Sequence, residues 1–107
     1  MMQTSPAKVK ATELTQVGLV VKDVQKTAEN YWNILGIGPW DIYELHAPVL
    51  SDVVYHGKPT QFSMKLGVAM VGKVQLGLFE PVSGDSIYSD FLAEYGEGLH
   101  HLQFAAD

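Results

Sequence analysis

The sequence predicts an α+β fold, a β-α-β-β-β unit followed by a second helix and a final strand. Three observations predict it. A β-branched run at 13–21 (ELTQVGLVV) alternates by face, an apolar stripe at helical spacing follows it, and two further apolar runs meet at a tight Gly72-Lys73 turn. The 107 residues suit one domain, and a chain of this size buries about two-thirds of its unfolded surface. Seven basic against twelve acidic residues give a net charge of −5 without a basic stripe, which excludes a phosphate-neutralising nucleic-acid surface. The absence of cysteine excludes a disulfide scaffold, a thiol nucleophile and a thiolate zinc site. No apolar run approaches the ~20 residues of a membrane span, so a cytoplasmic protein is expected.

Residues 1–11 mix Thr, Ser, Pro and Lys and read as a loose lead-in. In the first strand Val17, Leu19 and Val21 share one face, and Gln16, Gly18 and Val20 share the other. Asp23 is the expected N-cap of a helix whose stripe is Val24, Ala28, Tyr31, Trp32 and Leu35, with Gly36 as its stop. That helix should cover the Val17/Leu19/Val21 face and bury Trp32. A short strand is expected over 40–45, and then a loop over 46–59 that would suit a mobile cover. Strands follow over 62–71 and 74–80, the second ended by Pro81. Asp85 should cap a helix over 86–95 with Ile87, Phe91 and Tyr95 on one face, and Gly96 or Gly98 should end it. The last strand, 99–105, has no partner following it.

Four histidines could carry chemistry: His46, His56, His100 and His101. Neighbours on a strand point to opposite faces, so only one of the last two can look into a given cavity. His100 shares a face with Leu102 and Phe104, the packed side; His101 goes with Gln103 and Ala105, the more polar side. The ordinary role of such a histidine is a bond to a loop carbonyl, and His101 is the better ligand candidate. Glu80 reads as a solvated carboxylate, and Glu29 as a solvent-facing helix residue. Phe62 and Phe79 could floor a cavity.

The segments QVGLVVKDVQKTAENYWNILGIGPW and KVQLGLFEPVSGDSIYSDFLAEYGEGLHHLQF, and the order that joins them, resemble the glyoxalase / vicinal-oxygen-chelate superfamily, and within it methylmalonyl-CoA epimerase-like proteins. The most specific piece is EPVSG…FL…GEGLHHL. The resemblance implies a βαβββ module over 12–84, a linking helix and first strand of an incomplete second module over 85–107, and a cupped, mixed sheet. It implies a divalent metal ion (Co, Ni, Mn, Zn or Mg) on Gln16 and His101. Gly77 stands where the family has another ligand, four residues before Pro81, and Gln75 could replace it if the strand shifted by two residues. Two neutral ligands would hold a metal weakly.

The implied chemistry is proton abstraction next to a thioester carbonyl, as in an epimerase, with no catalytic base named although Glu44 and Glu29 are available. Alternatives are a metal-free small-molecule-binding module of the bleomycin-resistance type and a glyoxalase I-like lyase. The partner expected is a small-molecule substrate such as an acyl-CoA. One module cannot close a cup, and apolar residues such as Val20 would be bare on its open face. Further chain or a homodimer is therefore expected to supply the missing wall.

Overall fold

The computed structural model describes residues 10–46, 54–55, 58–59 and 62–106. Its elements in chain order are β1 (Ala11–Val20), α1 (Val24–Leu35), β2 (Asp41–Leu45), β3 (Val54–Tyr55), β4 (Lys58–Pro59), β5 (Ser63–Val71), β6 (Val74–Ser83), α2 (Ile87–Tyr95) and β7 (Gly98–Ala106). Strands β2-β5-β6-β1-β7 form one mixed sheet, in which only β1 and β6 run parallel. The expected β-α-β-β-β order is present as β1, α1, β2, β5 and β6. The stretch expected to be loop contains the small β3-β4 ribbon; its residues 47–53 and 56–57, His56 among them, lie outside the described part. The final strand is not left alone, because β7 pairs antiparallel with β1.

The helices cover the two faces of the sheet. On one side Val24 and Ala28 of α1 pack on Val21 and Leu78, with Leu19, Tyr31 and Trp40 around them. Asp23 caps α1 as expected, its carboxylate accepting from the Lys26 N–H at 3.1 Å, and Gly36 closes it in a left-handed conformation at φ 68°. Trp32, expected to be buried, is 55% exposed. The apolar stripe is longer than the contact, so only the first turns of α1 touch the sheet. Trp40 takes the inner place instead, 6.0 Å from the Tyr31 ring and donating to Ile37 O at 2.8 Å.

On the other side Val20, Phe62, Met64 and Phe79 form a buried cluster roofed by Tyr88, Phe91 and Leu92 of α2. Val20, expected to be bare, is fully buried there. Phe62 and Phe79 are core residues in the same cluster. Ser86, and not Asp85, caps α2, sharing reciprocal bonds with Ser89 in a capping box. Strand β6 runs on through Pro81 to Ser83. By alternation Pro81 aims its missing N–H to the side of Phe79, toward β1, and β1 has already ended at the Val20–Phe79 pair.

Glu80 is not a solvated carboxylate. Its Oε1 accepts from the Val24 N–H at 2.8 Å, tying the start of α1 to β6. A carboxylate here answers a helix N–H that has no partner within the helix and lies at the positive end of the helix dipole. Glu80→Ala is expected to lower stability by about 1–3 kcal/mol, with Glu80→Gln losing less because it keeps an acceptor. Urea unfolding of both variants checks this, and no loss in Glu80→Ala would contradict the bond.

Candidate functional site

The face of the sheet that carries Val20 also carries the polar candidates, next to the α2 roof, with Phe79 touching both Tyr88 and His101. Register builds it in rows across the strands. One row is Met70, Gln75, Gln16 and Gln103; the next is Asp41, Val68, Gly77, Gly18 and His101; a third is Tyr43, Leu66, Phe79 and Val20. Gln16 and Gln75 stand side by side on the parallel strands without any two-residue shift. The tripeptides Gln16-Val17-Gly18 and Gln75-Leu76-Gly77 align residue for residue.

The polar ends of these side chains meet. Gln16 Nε2 donates to Gln75 Oε1 at 2.7 Å, and Gln16 Oε1 lies 3.2 Å from His101 Nε2. The His101 ring lies flat over Gly18, where a Cβ would come within 2.3 Å of its Cε1. Phe79 meets that ring edge-on, with centroids 5.0 Å apart. A side chain at Gly77 would start 3.1 Å from the Gln16 amide nitrogen, so the glutamine occupies the space above that glycine.

His100 joins the group, contrary to strict alternation. Gly18 pairs with His101 and the next residue, Leu19, pairs with Leu99, so His100 is an extra residue in a β-bulge. The bulge turns both imidazoles to one side, with Nδ1 to Nδ1 at 2.8 Å. Leu102 and Phe104, on the face expected to be packed, are 48% and 53% exposed. Burial, and then the neighbouring His101, lower the His100 pKa; burial raises that of Tyr88.

Two donors, the Gln16 oxygen and the His101 nitrogen, suit one cation, since ligands at right angles and ~2.1 Å from an ion are ~3 Å apart. Gln75 aims the Gln16 oxygen by holding its amide nitrogen. Among the described residues there is no group of three His, Cys, Asp or Glu side chains that could hold a metal. A cation held on these two atoms would take its remaining ligands from a bound molecule or from water.

The carboxylates fall elsewhere. Glu29 is exposed and bonded to Gln25, as expected of a solvent-facing residue. Glu44 lies on the α1 side of β2 by register, exposed and 3.9 Å from His46. Asp41 is on the polar face, four strands from His101. Glu13, brought opposite Ala105 by bulges in β1, shares the face of Gln16 two register steps away. The sequence offers no sign of Glu13 on this face and separates His100 from His101, because alternation carries no mark of a bulge. The repeated Gln-x-Gly was the available signal for Gln75.

A family model described as Glyoxalase/Bleomycin resistance protein/Dioxygenase superfamily matches residues 15–107, and the chain belongs to that superfamily. The chain is 30% identical over 93 residues to the uncharacterized protein YqjC of Bacillus subtilis, covering 85% of this chain and 55% of that protein. Among solved structures, methylmalonyl-CoA epimerase from Mycobacterium tuberculosis shares the fold, with TM-score 0.61 and 20% identity over 94% of this chain and 59% of that one. A Streptomyces coelicolor methylmalonyl-CoA epimerase variant in complex with 2-nitronate-propionyl-CoA gives TM-score 0.58 and 25% identity, covering 89% of this chain and 62% of that one. The chain thus spans a little over half the length of these relatives. No helix among the described residues is long and apolar enough to cross a membrane.

Proposed function

We propose that this chain forms one wall of a cupped site for an epimerase-type reaction, in which Gln16 and His101 hold a divalent cation together with the substrate and Gln75 orients Gln16. The observation that carries the reading is the convergence of the Gln16 oxygen and His101 Nε2 at 3.2 Å on one sheet face. A bound cation would act as a Lewis acid on a substrate carbonyl and stabilise the negative charge left when a neighbouring carbon loses its proton. The likeness to epimerases, one of them complexed with an acyl-CoA analogue, supports a 2-substituted acyl thioester as substrate.

The chain's own residues supply position and proton chemistry. Gly18 lets the His101 ring lie against the strand, and Phe79 fixes its edge. Glu13 is the strand carboxylate best placed on this face to take a proton. A second wall, from further chain or from a second copy, would close the cup. One observation favours a second reading, a metal-free binding module: Gly77 contributes no donor beside the pair.

The test follows cobalt(II) binding by calorimetry and exchange of the α-proton of methylmalonyl-CoA by NMR in deuterated buffer. The expected result is exchange by the wild type and a loss of roughly 100-fold in Gln16→Ala and His101→Ala, with cobalt affinity falling in both; Glu13→Gln should slow exchange and leave cobalt binding intact. Acyl-CoA binding without cobalt binding or exchange would establish the metal-free module instead.

A further inference from the structure

We propose that His100 is a positioning residue that sets which nitrogen of His101 carries the proton, and that the two imidazoles exchange tautomers together when a cation takes His101 Nε2. The second half rests on the cation reading; the first does not. His100 is the extra residue of the β-bulge, so its ring is turned to the side of His101. Tyr88 and Phe91 of α2 flank it at 5.2 and 5.0 Å, and the two imidazole planes are perpendicular. That packing directs His100 Nδ1 at His101 Nδ1, 2.8 Å away.

A bond between two neutral imidazole nitrogens needs one donor and one acceptor. The other end of the chain decides which is which. The Gln16 amide nitrogen is committed to Gln75 Oε1, so the atom facing His101 Nε2 is an oxygen and can only accept. His101 therefore carries its proton on Nε2, its Nδ1 accepts, and His100 donates from Nδ1. The three bonds run in one direction, from His100 to His101 to Gln16 to Gln75, an arrangement in which each bond polarises the next.

A cation on His101 Nε2 needs the lone pair there, so that proton is lost and one is gained at Nδ1. His101 then donates to His100 Nδ1, which gives up its own proton while its Nε2 gains one. The pair stays neutral and no proton is consumed. His100 thus supplies the outer hydrogen-bond partner that ligating histidines characteristically have.

The test is nitrogen-15 NMR of the imidazoles, metal-free and with zinc(II), on the wild type, His100→Phe and His100→Asn. Phenylalanine keeps the ring between Tyr88 and Phe91 without a nitrogen; asparagine returns a polar group close to the Nδ1 position. Expected for the wild type is an Nε2–H His101 beside an Nδ1–H His100, both reversed by zinc. His100→Phe should give a mixture of His101 tautomers and a 10–100-fold weaker zinc affinity, and His100→Asn should restore most of both. An unchanged His101 tautomer and unchanged affinity in His100→Phe would overturn the proposal. Should that variant not fold, a wild-type spectrum with His101 protonated on Nδ1 in the absence of metal overturns it equally. If the wild type binds no zinc, the cation reading fails, and the metal-free tautomers alone decide the role of His100.

Discussion

Gly18→Ala is expected to dismantle the site while leaving the sheet standing. The new methyl would lie within 2.3–2.8 Å of three atoms of the His101 ring, and a planar ring packed against backbone has no flexible end to yield. The ring must swing away, which breaks its approach to Gln16 Oε1 and its bond to His100 together. Overpacking of this kind costs about 1–3 kcal/mol, and cobalt affinity should fall at least as far as in His101→Ala. The imidazole resonances of His101 report the displacement directly, with or without metal. Gly98→Ala is the control, because a methyl there meets nothing within 4 Å. Identical behaviour of the two variants would show that the close approach over Gly18 has no consequence.

Leu78→Ala should be the most damaging change to stability. Leu78 is fully buried on β6 beneath α1, among Val21, Val24 and Ala28. Truncation removes its transfer free energy and leaves a cavity between a helix and a central strand, neither of which can collapse far. The loss should be about 2–5 kcal/mol. Leu99→Ala, at a side chain 54% exposed, should cost far less. Urea midpoints at constant slope measure both, and a loss below about 1 kcal/mol for Leu78→Ala would mean that α1 is not seated as described.

The sequence-to-structure path is clearest where periodicity is unbroken. Leu19 and Val21 face α1 because strand alternation and the helix cap at Asp23 agree, and nothing between them interrupts the count. Parity also places Gln16 and Gly18 on the opposite face. It fails at His100, where one extra residue cancels the alternation on which the separation of the two histidines depended. Glu80 departs from its expected place for a different reason: a carboxylate beside a proline looks solvent-facing until the helix whose first N–H it meets is in place. Val20 reads as bare as long as α2 is only a linking helix, whereas Tyr88, Phe91 and Leu92 make it a roof.

The Gln16–His101 contact joins residues 85 apart in the chain, and β1 lies between the two strands that are made last. During synthesis at about 5–20 residues per second, β1 would wait roughly 4–17 s before β7 emerges. Such distant pairings make for slow folding. Val20 of β1 is buried by Phe79 of β6 and by α2, both made before β7, so the core on this face can form before the strand that carries His101 arrives.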